Sequence, residues 1–143
     1  MRNDLLNSTY TLLKLTFGLV PIVAGLDKFL NLLTDWSAYI SPAMKGMLPV
    51  QPATFMMVVG VIEIAAGIVV LSRFTRLGAY VVAAWLTLIA VDLILAGRFD
   101  VAVRDLVMAI GAFSLGQIAA IREHSTTVQP PIRQIPVHNA AHA

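Results

Sequence analysis

The sequence predicts an all-α integral membrane protein, a four-helix bundle with an interfacial segment in its first outer loop. Hydrophobic residues fill 58% of the 143 positions and charged residues only 13%. The mean hydropathy is +0.81, outside the soluble range. The apolar residues gather in four runs, each near the roughly 20 residues that cross a hydrocarbon core. Lipid offers no partner to open backbone groups, so the runs must be helical, and none alternates in polarity as a membrane β-barrel strand would.

The first run covers residues 12–33. Ile22, Val23 and Ala24 could pass for a weak signal cleavage site, but the run is expected to be a retained helix. Residues 34–54 are too long for a tight turn and carry Trp36, Tyr39, Pro42, Pro49 and Pro52. Trp36, Tyr39, Ile40, Ala43, Met44 and Met47 recur at helical spacing, interrupted by Pro42. Two readings stay open: an interfacial helix lying over the bundle, or an aromatic belt on an irregular loop. The remaining runs are residues 55–71, 77–95 and 103–121, which complete a membrane domain over 1–122. Residues 123–143 turn polar and Pro-rich and are expected to form a flexible cytoplasmic tail.

Arg2, Arg73, Arg76, Arg122 and Arg133 fall at the termini and the second connection, with Lys14 nearby. The opposite loops hold Lys45 and Arg98, offset by Asp35 and Asp100. The positive-inside rule then places both termini in the cytoplasm, and the helical bundle is expected in an inner (plasma) membrane. The formal net charge of +2 is too small and scattered for a nucleic-acid surface. With no cysteine in the chain, disulfides, thiolate metal sites and iron–sulfur ligation are excluded. His124, His138 and His142 match no metal-ligand spacing. Met44, Met47, Met56, Met57 and Met108 suit packing better than copper, so no metal is expected.

Charges inside the runs are the informative residues, because one at mid-bilayer costs roughly 2.5–3.5 kcal/mol on insertion scales. Glu63 lies near the centre of its run, sharing a face with Gly60 and Gly67, small residues that admit a neighbouring helix. Lys14, Gly18, Pro21, Gly25 and Lys28 form a similar stripe, and Pro21 can kink it inward. Asp105, Ala109, Ala112 and Gly116 make a third small-residue face. Asp27, Lys28, Glu63, Asp92, Arg104 and Asp105 therefore converge in the outer half as a buried polar or ligand-binding cluster. The expected pairs are Lys28 with Glu63, and Arg104 with Asp92 or Asp105. Four acids against two bases leave Glu63, the most deeply desolvated, protonated or sharing a proton. Such pairs can fix helix register, or line a polar cavity for a quinone head group, a small substrate or protons. No catalytic residue set is visible.

Gly25-x-x-Lys28-Phe29, then Gly60-x-x-Glu63-x-x-x-Gly67, then Arg76 before a small-residue helix make the chain resemble the DoxX family of small membrane proteins, over roughly residues 17–117. The resemblance implies a four-helix membrane bundle; the family takes its name from a subunit associated with a terminal quinol oxidase and thiosulfate:quinone oxidoreductase, and many members have no assigned activity. Lys28 and Glu63 match its polar positions, whereas Asp92, Arg104 and Asp105 rest on the residue argument alone.

The leading functional expectation is a non-catalytic accessory subunit of a membrane redox or energy-converting complex, possibly next to a quinone. Its partners would be lipids and other membrane subunits, or copies of itself. One alternative is a small proton-coupled transporter or permease using Glu63. Another is a component of a quinone- or sulfur-compound oxidoreductase.

Overall fold

A computed structural model describes residues 2–127. Four long helices, α1 (Arg2–Leu30), α3 (Pro52–Leu71), α4 (Thr75–Leu95) and α5 (Phe99–Thr127), are joined by one long connector and two short turns. The connector holds a 3-10 turn at Trp36–Tyr39 and a short helix α2 (Pro42–Met47). All four long helices are long and apolar enough to cross a membrane, and no strand occurs among the described residues. The connector and the α4–α5 turn share one end of the bundle, called here the connector side. The helix termini at Arg2 and Thr127 and the α3–α4 turn share the other.

Helices α1 and α5 begin or end beyond the expected runs, because polar stretches such as Asn3 to Thr9 form helix without a hydropathy signal. At 29 residues each they measure about 43 Å, against about 30 Å for the 20-residue α3. Residues 123–127 continue α5, while the rest of the expected tail, with His138 and His142, lies outside the described residues. Helix α1 stops at Leu30, three residues before the expected end. Asn31 adopts a left-handed conformation (φ 50°), and its N–H donates to the Asp27 carbonyl. Helix α3 starts at Pro52, since proline suits the first helical position, where its missing N–H would have no partner.

The α4–α5 turn needs a glycine. Gly97 has φ 73°, the Arg98 N–H bonds to the Leu93 carbonyl, and the Gly97 N–H bonds to that of Ile94, a Schellman termination. In the α3–α4 turn the Thr75 hydroxyl donates to the carbonyls of Val70 and Ser72.

The bundle is built as two tightly packed pairs, α1 with α3 and α4 with α5, joined less extensively between α3 and α4. Glycines let the backbones of the first pair nearly touch. A Cβ on Gly25 would lie 2.5 Å from the Gly60 carbonyl oxygen, and one on Gly60 would lie 2.7 Å from that of Gly25. Gly67 makes the same approach to Gly18 two turns away, the small-residue packing of membrane helices. The second pair packs through Ala79, Ala83, Ala112 and Leu115, with the Tyr80 ring seated over Gly116. Phe17 of α1 reaches across to Gly111 of α5 and closes the core. Val61, Ile68, Leu88, Val107 and Ile110 are exposed, the apolar exterior that hydrocarbon demands.

Candidate functional site

The polar side chains meet at the connector side. Lys28, in the last turn of α1, is carried inward on the Gly18–Gly25 face, and Glu63 stands one turn from Gly60 on α3. The two glycine faces therefore bring the ammonium and carboxylate together, Lys28 Nζ donating to Glu63 Oε2 at 2.6 Å. Lys28 and Glu63 are 6% and 7% exposed. In such surroundings an ion pair is held by mutual charge and hydrogen bonding against a large desolvation cost.

The Trp36 ring covers Lys28, with Nζ 4.0 Å from the ring centroid, a cation–π contact at a desolvated position. Its indole N–H donates to Asp27 Oδ2 at 2.7 Å. Asp27 also accepts from the backbone N–H groups of Leu32 and Leu33. A carboxylate at a helix C-terminus opposes the helix dipole, but these three donors fold the connector back over α1. Asp27 thus lies beside the Lys28–Glu63 pair and is engaged by the loop.

Asp105, on α5, is buried as well. Arg104 Nε donates to Asp105 Oδ1 at 3.2 Å, although the Arg104 side chain is 62% exposed. Neighbours in sequence point about 100° apart on a helix. One therefore faces the core and the other the surface.

Asp92 forms no ion pair with Lys28 or Arg104 among the described residues and is engaged by the connector instead. It accepts from the Ser41 hydroxyl and, at 3.2 Å, from the Ser41 N–H. Ser41 is wholly buried and also caps α2 through the Met44 N–H. The connector is thus neither one interfacial helix nor an irregular belt. Pro42 breaks the helical spacing and becomes the first residue of α2. Arg98 holds the preceding turn, stacking on Tyr39 and donating to the Ala38 carbonyl.

Three contributors escaped the sequence argument: Trp36, Ser41 and Trp85. The pairing of Ser41 with Asp92 spans 51 residues and has no local signature. Trp85, on α4, buries its indole nitrogen. That buried nitrogen has no hydrogen-bond partner among the described residues.

Two grooves open on the lipid-facing surface. One of about 250 Å³ runs along Leu19, Val23 and Ala24 to Trp36. The other, about 620 Å³, lies between α4 and α5 and is lined by Tyr80, Ala83, Thr87, Leu106, Ile110 and Phe113. Neither is lined by Lys28, Glu63 or Asp105. At the other end Lys14 Nζ donates to the Ser72 carbonyl, capping α3. Arg122 stacks on Tyr10 and bonds to Asn7, and Arg76 meets Glu123 at 3.3 Å on the surface. No cluster of metal-ligating side chains occurs among the described residues.

The family model described as DoxX matches residues 10–97, more than half of the chain, spanning α1, the connector, α3 and α4. Comparisons with curated proteins and with solved structures give no match.

Proposed function

We propose that this chain, which belongs to the DoxX family of membrane proteins, is a non-catalytic accessory subunit of a membrane redox or energy-converting complex, seated beside a quinone site. The observation that carries this reading is the Lys28–Glu63 pair. Its charges satisfy each other at 2.6 Å under a tryptophan lid, and Asp27 and Asp92 are likewise held by connector groups. Interior charge used in this way fixes the register of helices that lipid gives no hydrophobic reason to associate. Contacts with other molecules then fall to the exterior. The α4–α5 groove, apolar with Tyr80 and Thr87 among its walls, suits a neighbouring helix or an isoprenoid chain.

We place the protein in the inner membrane with both termini cytoplasmic, on the excess of Arg73, Arg76, Arg122 and Lys14 at the termini side. Single cysteines introduced into this cysteine-free chain test the orientation. Lys45→Cys should react with an impermeant maleimide on intact cells, and Arg73→Cys only after permeabilisation.

The role itself is tested by purifying the protein in mild detergent and analysing what accompanies it by mass spectrometry and optical spectra. A reproducible complex bearing haem, flavin or pigment is the expected result. Recovery of the chain alone, or only with copies of itself, overturns the accessory reading and turns attention to transport assays on Glu63.

A further inference from the structure

The end of the bundle away from the connector gathers cations around one aromatic ring. Lys14 Nζ lies 5.9 Å from the centroid of the Tyr10 ring, and the Arg122 guanidinium lies 4.3 Å from the same centroid. The two charges are therefore no more than about 10 Å apart, close enough at physiological salt to feel each other. Their polar partners are neutral: Lys14 donates to the Ser72 carbonyl and Arg122 to the Asn7 side chain. Neither forms an ion pair among the described residues. Glu123, which follows Arg122, is engaged by Arg76, and Asp4 stands about 9 Å back along α1 from Tyr10. An ammonium carries three donors and a guanidinium five, so both side chains keep donors for a further acceptor.

Depth indicates what that acceptor is. Helix α3, at about 30 Å, matches the hydrocarbon thickness, so its cap at Ser72 marks the level of the lipid head groups. Lys14 reaches that level through its bond to Ser72, and Arg122 shares it through Tyr10. A tyrosine suits the same boundary, where an amphipathic ring sits between hydrocarbon and water. The place is also the thinnest seam of the bundle. Of the helices that neighbour each other around it, α1 and α5 pack least extensively. They meet where Phe17 reaches Gly111 and where Arg122 covers Tyr10.

We propose that Lys14 and Arg122 bind the phosphate of an anionic phospholipid, which clamps α1 to α5 across this seam. The phosphate neutralises two like charges, and basic pockets between membrane helices are recurrent binding places for anionic head groups. Arg122 can present two parallel donors to the phosphate oxygens, while Lys14 acts as a point charge. The acyl chains lie along the apolar exterior of the helices. A zwitterionic lipid brings its own ammonium to the same place and is disfavoured. The site goes beyond the accessory-subunit reading and does not depend on it.

The test is native mass spectrometry of the full chain released from nanodiscs of phosphatidylcholine and phosphatidylglycerol in equal amounts. The unaltered protein should retain phosphatidylglycerol with a preference of roughly thirtyfold, about fivefold for each cation. Lys14→Gln and Arg122→Gln should each fall to about fivefold and the double variant to parity, whereas Arg122→Lys should keep most of the preference. Parity in the unaltered protein overturns the site. So does an equal loss in Arg73→Gln, a turn cation stacked on the exposed Phe74, because attraction would then be spread over the whole basic face. The clamp is read by thermal unfolding: phosphatidylglycerol should raise the midpoint of the unaltered protein over that in phosphatidylcholine alone, and raise it less in either single variant. An equal rise in phosphatidylcholine with added inorganic phosphate assigns the site to the free anion and overturns the lipid.

Discussion

The two helix pairs solve the same packing problem differently. In α1–α3, glycine faces glycine, the backbones close on each other, and the Lys28–Glu63 ion pair seals the connector end. In α4–α5, alanines and the Tyr80 ring over Gly116 make an equally extensive contact, beside which a groove of about 620 Å³ opens toward lipid. The first pair is therefore expected to be the more sensitive to substitution, and the groove of the second is where the proposed accessory role would place a contact.

The largest effect should come from breaking the ion pair. Glu63→Leu leaves Lys28 buried without its partner and should cost about 3–5 kcal/mol, whereas the paired change Lys28→Leu with Glu63→Leu should recover most of that loss. Chemical unfolding in micelles, read as a double-mutant cycle, measures the coupling. Equal losses in the single and double variants would show that the pair is not acting as a unit.

Overpacking comes next. Gly60→Val pushes side-chain atoms into the Gly25 carbonyl and should cost about 1–3 kcal/mol. Ala84→Leu, lining the α4–α5 groove, should change stability by under about 0.5 kcal/mol. Similar costs at the two positions, measured by thermal unfolding in the same detergent, would erase the contrast between the pairs.

Ser41→Ala removes the hydroxyl shared between Asp92 and the α2 cap, and should cost about 1 kcal/mol. Its second signature is faster proteolysis within the connector, because the loop loses its tie to α4. The smallest effect belongs to Arg76→Ala. Its pair with Glu123 is exposed on both sides, 48% and 52%, and an exposed pair contributes about 0–1 kcal/mol and fades with salt.

This ranking also explains what could be read from the sequence. The four helices were legible because hydropathy over a bilayer-length window is a strong signal. The inward faces of α1 and α3 were legible because Gly18, Gly25, Gly60 and Gly67 share helical stripes with Lys28 and Glu63. The extensions of α1 and α5 were hidden, since Asn3, Asp4, Asn7 and Ser8 carry no hydrophobic period. Contacts set by tertiary folding were hidden as well. Nothing near Asp92 announces Ser41, whereas the stripe of Ala109, Ala112 and Gly116 did mark Asp105 as inward-facing. Trp36 read equally well as a belt residue, because its role depends on the connector folding back over Lys28.

The central claim is that the buried pair holds the bundle together while the exterior makes the contacts. Its most direct test is a side-by-side co-purification of the unaltered protein and the folded Lys28→Leu/Glu63→Leu double variant from native membranes. The account predicts the same set of accompanying membrane proteins, in the same proportions, for both. A folded double variant that loses its partners, or an unaltered protein that brings none, would contradict it.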